Sequence, residues 1–242
     1  MRIRFRIKPN PVSYGMKPSN QQFAKIFNGI APRYNEVSNP YLVSIRKTVF
    51  GNWANGTCLE VGAGTGEISR HLSQKHKVVA TDIAPGMVEE IKKHGIEAHV
   101  CDAEQLPFQD HSFDTVVAAE VIFYLNNPDN FLSEAYRVLK PGGRLLISCA
   151  SNFPVKFYDK LRSWLRAAGF KKGMYFDEDI LRDFMTLPKL KKMLYQHGFD
   201  IVGVKQAPII PMTTFDRLNK FLEKTPLRYF GIFIFAFAQK PN

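Results

Sequence analysis

The chain has 242 residues, 45% of them apolar, and a formal net charge of +11. That length buries a sizeable core without disulfide or metal staples, and Cys58, Cys101 and Cys149 can neither all pair nor match a metal-ligand spacing, so no metal site is expected. No stretch approaches the ~20 apolar residues of a spanning helix, and the basic start MRIRFRIKPNP lacks the apolar run of a secretory signal.

The thiols are expected to be reduced, which suits a cytoplasmic location. The charge is unevenly spread. Residues 1–50 carry +8, residues 51–150 carry −5 and residues 151–242 carry +8. An acidic middle is therefore flanked by basic ends, which suit an anionic substrate, an anionic membrane surface touched peripherally, or nucleic acid.

In chain order, residues 1–19 hold three prolines and read as a basic arm. Phe23, Ile26, Phe27 and Ile30 recur at helical spacing until Pro32. A second helix fits Tyr41–Phe50. Strand and helix then alternate: strand Thr57–Gly62, helix Gly66–Gln74, strand Lys77–Asp82, helix Gly86–Gly95, strand Glu97–Asp102, strand Phe113–Glu120, helix Pro128–Lys140 with Asn127 as N-cap, a Pro141–Gly143 turn, and strand Arg144–Ala150. Residues 151–188 break the rhythm with an aromatic-rich insertion. A helix capped by Thr186 follows, then strands near Phe199–Gln206 and Gly231–Ala238, joined by a long connection. This order predicts an α/β fold: a doubly wound, mostly parallel, seven-stranded sheet with helices on both faces, an N-terminal helical extension (20–50), a cofactor-binding core (57–150), a lid after the fifth strand (151–188) and a C-terminal helix and strands (189–242).

Ligands of such sheets bind at the carboxyl ends of the strands. The first turn is Gly62-Ala63-Gly64-Thr65-Gly66. Glycines there permit positive φ and clear side chains from a ligand's path. The dinucleotide fingerprint wants its third glycine three residues after the second, where this chain has Glu67. A nicotinamide dinucleotide is therefore disfavoured. Asp82 ends the second strand, where a carboxylate accepts from two ribose hydroxyls. Asp102 and Ala103 follow the third, where a nucleobase edge fits. Glu60, inside the first strand, is costly to bury without a cationic or N–H-rich partner. A ligand with ribose, adenine and a positive centre but no phosphate matches all three, and S-adenosylmethionine has those parts.

LEVGAGTGE, ATDIAPGMVE, CDAEQLPFQDHSFDTVVAAEVIFYL and EAYRVLKPGGRLLIS occur in that order. Together they resemble the cofactor loop, acidic second-strand end, adenine-side loop with fourth strand, and helix–turn–fifth-strand segment of the class I S-adenosylmethionine-dependent methyltransferases. FAKIFNGIAPRYNEVSN (Phe23–Asn39) is similar to the N-terminal helix of the ubiquinone/menaquinone-biosynthesis C-methyltransferase branch. The resemblance covers residues 20–150 well and the remainder in outline. It implies that Gly62, Ala63 and Gly64 approach the methionine moiety and that Glu60 supports its ammonium end. It further implies that Asp82 holds the ribose hydroxyls, Ile83 packs on adenine, Asp102 and Ala103 face its amino edge, Glu120 looks toward the methyl group and Tyr34 covers the cofactor. The product would be S-adenosylhomocysteine.

Methyl transfer from a sulfonium needs alignment and exclusion of water, and a base only where the acceptor carries a proton. Candidate bases near the strand ends are Glu120, Tyr124 and His111. The aromatic insertion suits a small, largely apolar, lipid-, quinone- or natural-product-like acceptor. Two rivals stand beside this reading: an RNA methyltransferase, favoured by the basic arm, and an inert cofactor-binding module. Against nucleic acid, the chain has no [DNS]-P-P-[YFW] tetrapeptide and no Pro-Cys pair.

Overall fold

The computed structural model describes residues 18–38, 40–151, 185–208, 210 and 215–242. Most of the expected lid (152–184) and arm (1–17) lies outside the described residues. The N-terminal part holds α1 (Asn20–Ile30), a 3-10 turn (Ala31–Arg33), the short α2 (Tyr34–Val37) and α3 (Pro40–Gly51). Then come β1 (Thr57–Val61), α4 (Glu67–Leu72), β2 (Lys77–Asp82), α5 (Pro85–Lys92), β3 (Glu97–Val100), β4 (Phe113–Ala119), α6 (Pro128–Val138) and β5 (Leu139–Ala150). The chain continues with α7 (Leu187–Gln196), β6 (Asp200–Ala207), α8 (Asp216–Leu222), a 3-10 turn (Pro226–Phe230) and β7 (Phe233–Gln239).

The seven strands lie in the order β3-β2-β1-β4-β5-β7-β6. β3, β2, β1, β4 and β5 are mutually parallel, and β7 runs antiparallel between β5 and β6. β2 from Val78 to Asp82 and β7 from Phe233 to Ala238 are buried at successive residues. Consecutive strand residues point to opposite faces, so both faces are covered. Phe50, Phe131, Phe199 and Phe235 are the largest side chains fully buried in the core. The order β3-β2-β1-β4 puts the reversal of winding beside β1, and the loop after β1 opens there.

Local chemistry sets the ends of the elements. Ser19, expected in the arm, instead caps α1: its hydroxyl accepts from Gln22 N while Gln22 Oε1 accepts from Ser19 N at 2.7 Å. Thr186 caps α7 by accepting from Lys189 N, and Asn127 caps α6 with Pro128 in its first turn. α4 and α5 are shorter than their sequence windows because the residues after them form turns, and α6 because Leu139 and Lys140 join β5. Pro141–Gly143 does not separate helix from strand. It lies inside β5, whose register against β4 jumps from Phe113↔Leu139 to Thr115↔Arg144, with Gly142 at φ +72°. The helix yields to strand at Leu139, whose ψ of 137° is extended.

Candidate functional site

The loops after β1, β2, β3 and β4 converge at the carboxyl ends of the strands. They form the floor of a cavity that the N-terminal helices cover. Gly62, Gly64 and Gly66 have φ of +65°, +56° and +80°, a region costly for residues with a Cβ. Their surroundings differ. A Cβ on Gly62 would lie 2.5 Å from Val121 Cγ2, so that glycine is demanded by packing. A Cβ on Gly64 would meet the Tyr34 ring at 3.5 Å, an ordinary contact, and both residues line the cavity. Gly66 opens α4, and a Cβ there would lie 3.0 Å from Ile91 Cγ1.

Asp82 fastens the floor. Its Oδ2 accepts from Gly64 N at 2.8 Å and its Oδ1 from Ala84 N at 2.9 Å. Burial pushes its carboxyl up to about 6, against the opposing pull of those amides. Glu60 is 1% exposed at mid-sheet, beside Ala80 on β2 and Val117 on β4. Burial raises it to about 7, while the Ser69 hydroxyl and amide and the more distant charge of Arg46 pull it down. The partner expected for Glu60 was a cation or a set of N–H groups; beside the Ser69 amide and the charge of Arg46, the Ser69 hydroxyl also donates to Oε2. Asp102 accepts from Glu104 N at 2.9 Å and from Asn20 Nδ2 at 2.6 Å. Glu120, just beyond β4, has φ +60° and accepts from Ser148 Oγ at 2.8 Å. A non-glycine residue in that region stores strain at a site wall.

The roof is aromatic. Tyr124 meets Phe23 and Phe27 edge-on with centroids 5.3 Å away in each case, and Phe27 meets Tyr34 at 6.5 Å. Three asparagines tie this roof to three successive loops of the floor. Asn35 Oδ1 accepts from Thr65 Oγ1 at 2.6 Å after β1, Asn28 Oδ1 accepts from Gly86 N at 2.7 Å after β2, and Asn20 Nδ2 reaches Asp102 after β3.

Tyr34, Glu60, Gly62, Ala63, Gly64, Asp82, Ile83, Asp102, Ala103 and Glu120 all line this cavity, as does Tyr124. His111 does not. It precedes β4, at the amino ends of the parallel strands and so opposite the cavity, with Nδ1 3.0 Å from Leu139 O and 3.1 Å from Lys240 Nζ, and it drops out as a candidate base. Cys58 and Cys149 are buried thiols as expected, whereas Cys101 is half-buried in the cavity wall. The sequence reading missed Phe23, Phe27, Asn20, Asn35, Arg46 and Glu67 as lining residues. The stripe of Phe23 and Phe27 was visible, but its period does not tell a core face from a roof.

The described lining holds five carboxylates, Glu60, Glu67, Asp82, Asp102 and Glu120, and one cation, Arg46. Arg46 is itself engaged: Nε donates to Leu42 O at 3.2 Å and the guanidinium lies over the Phe233 ring. An anionic phosphate is poorly matched to such a wall; a nucleoside carrying sulfonium and ammonium charges fits it.

The family model described as "Methyltransferase domain" matches residues 59–147. A ubiquinone/menaquinone biosynthesis C-methyltransferase of Desulfotalea psychrophila is 34% identical over 134 residues, covering 50% of this chain and 54% of that protein. The chain thus spans about half of that relative's length. A demethylmenaquinone methyltransferase of Bacteroides fragilis is 32% identical over 172 residues, covering 62% of this chain and 69% of the relative. A solved S-adenosylmethionine-dependent methyltransferase of Thermotoga maritima superposes with a TM-score of 0.67 at 23% identity, over 89% of this chain and 99% of that one, a likeness of fold. With the glycine turn, the acidic floor and these matches together, the chain belongs to the class I S-adenosylmethionine-dependent methyltransferases.

Proposed function

We propose that the chain methylates a small, apolar, quinol-like ring compound, with S-adenosylmethionine seated on the carboxylate floor. The observation that carries the acceptor class is the aromatic roof of Phe23, Phe27, Tyr34 and Tyr124 facing that floor. Apolar walls with a few placed polar groups suit a ring compound better than a charged polymer. The quinone-biosynthesis names of the Desulfotalea and Bacteroides relatives favour a quinone precursor within that class.

When bound, S-adenosylmethionine supplies an electrophilic methyl carbon on a positively charged sulfur that departs as a neutral thioether. The chain's part is alignment and exclusion of water. Asp82 would take the ribose hydroxyls, with its amide bonds to Gly64 and Ala84 fixing the carboxylate plane. Glu60 supports the ammonium end through the glycine turn, and Gly62, Ala63 and Gly64 let the methionine moiety approach the backbone. Ile83 would pack on adenine, with Asp102 and Ala103 at its amino edge. Tyr34 closes over Gly64.

A ring carbon that gains a methyl group must lose a proton, either to a side chain or to water. Glu120, oriented by Ser148, is the carboxylate we place in that role. In Glu120→Gln, a fall in kcat with unchanged cofactor affinity assigns the proton to Glu120, whereas an unchanged kcat assigns it to water. The test of the whole reading is formation of S-adenosylhomocysteine when enzyme and cofactor are mixed with reduced, prenylated benzoquinone or naphthoquinone precursors. A methylated quinol by mass spectrometry is expected. No turnover on either ring, with methyl groups appearing in an RNA fraction instead, would overturn it.

A further inference from the structure

The α8 region has its polarity turned inside out. Its buried residue is polar: Asn219, 2% exposed, accepts from Ile210 N at 2.8 Å and donates to Ile210 O at 2.7 Å and to Tyr41 Oη at 3.3 Å. Its outward stripe is apolar, with Phe215, Leu218 and Phe221 spaced three residues apart and 38, 41 and 65% exposed. The following 3-10 turn adds exposed Leu227, Tyr229 and Phe230. Soluble proteins scatter exposed apolar residues singly, and six of them within residues 215–230 mark a contact surface.

Charge identifies what it contacts. Arg217, Lys220, Lys224 and Arg228 are exposed between the apolar residues. The two acids of the segment are occupied: Asp216 accepts from the Tyr41 hydroxyl, and Glu223 pairs with Lys205 at 3.0 Å. The outward face is thus cationic as well as aromatic. A second copy of this chain would set these cations against one another about a two-fold axis. An anionic bilayer takes both: lipid phosphates meet the basic residues while rings enter the boundary between headgroups and acyl chains.

We infer that the surface formed by α8 and the 3-10 turn Pro226–Phe230 docks on anionic phospholipid. The surface also bears on the site. Tyr41, which Asp216 and Asn219 hold, belongs to α3, and α3 contributes Val43 and Arg46 to the cavity wall. Docking therefore sets the covering helices beside the phase where an apolar acceptor dissolves. The inference stands whether or not that acceptor is a quinol.

The test is vesicle co-sedimentation of the full chain with phosphatidylcholine alone and with equal parts phosphatidylcholine and phosphatidylglycerol. Binding to the mixed vesicles only, falling with added salt, is expected. The exposed-charge variant Lys220→Ala should lose about fivefold in partition, and Lys224→Ala a similar factor. The double variant Leu218→Ser with Phe221→Ser should lose about tenfold or more, with an unchanged melting curve. Equal binding to both vesicle types, no binding to either, or variants that bind like the parent would overturn the inference. So would a stable dimer in solution that Phe221→Ser dissociates, because the face would then be a contact between copies.

Discussion

The floor and the roof of the cavity are built by different means. The floor is backbone and buried carboxylate: three left-handed glycines, Asp82 locked to two amides, and Glu60 enclosed at mid-sheet. The roof is a set of helices held by aromatic edges and three asparagine side chains. A floor fixed by conformation cannot be altered without strain, whereas a clip made by one amide can be lost while the helix stays folded. On the proposed reading, the floor selects the cofactor, while the roof selects the acceptor and governs how long the cofactor stays.

The sharpest way to break that comparison is to add one carbon to the floor. Gly62→Ala drives a Cβ to 2.5 Å from Val121 at a positive φ. Overpacking and left-handed strain together should cost about 2–5 kcal/mol, read as a large fall in Tm. Gly64→Ala carries only the backbone part, about 1–2 kcal/mol, yet should lose cofactor binding because its new methyl group stands in the cavity. Equal losses of stability in the two variants would refute the division of labour between them.

Asp82→Asn comes next. Removing the charge while keeping an acceptor for one amide should weaken cofactor binding by about 10- to 100-fold in calorimetry, with secondary structure intact. An unchanged affinity would remove Asp82 from the ligand's contacts.

Protonation gives a smaller, graded effect. Asp82 and Glu60 are raised to about 6 and about 7 by burial, so in the folded chain without ligand their charged forms are disfavoured. A raised carboxyl contributes stability at low pH that is lost as pH climbs from the ordinary carboxylate value through the folded one. The Tm of the ligand-free protein should fall across that window. A cationic ligand favours the charged forms, so its binding releases protons and tightens as pH rises, by up to about tenfold per pH unit for one proton and levelling above about pH 7. Calorimetry in buffers of different ionisation enthalpy counts the protons, and proton uptake on binding would contradict this picture.

The mildest probe is Asn35→Ala, which cuts the clip to Thr65. A stability loss of about 1 kcal/mol and a several-fold faster release of cofactor in stopped-flow are expected. A release rate equal to the parent's would show that the Thr65 clip does not hold the roof, leaving that role to the aromatic edges and the clips of Asn20 and Asn28.

What could be read in advance follows the same divide. β2 matches its sequence window at both ends, and every floor residue inferred from the glycine turn and the strand-end acids lines the cavity. Those features are local: a turn needs its glycines within five residues, and a strand ends where its apolar run does. The roof joins residues far apart in the chain, such as Asn20 with Asp102 and Phe23 with Tyr124, and local periodicity is silent on such pairs. The Pro141–Gly143 segment misled for a related reason. Its residues favour a turn, and within β5 they form the bulge between Leu139 and Arg144, which Lys240 ties down by accepting from Gly142 N and donating its own N–H to Gly143 O. His111 misled as a strand-end residue: a residue that precedes a parallel strand adjoins its amino end, away from the carboxyl ends where the cavity opens.

The placing of β7 has a consequence for biosynthesis. Among the described residues, β6 pairs with β7 alone, and β7 emerges from the ribosome after it. While the five parallel strands can already assemble, the nascent β6 must wait as an open ribbon until Phe233–Gln239 slides in between it and β5. For that interval the growing polypeptide exposes two unsatisfied edges, and a chaperone that masks strands would find its client there.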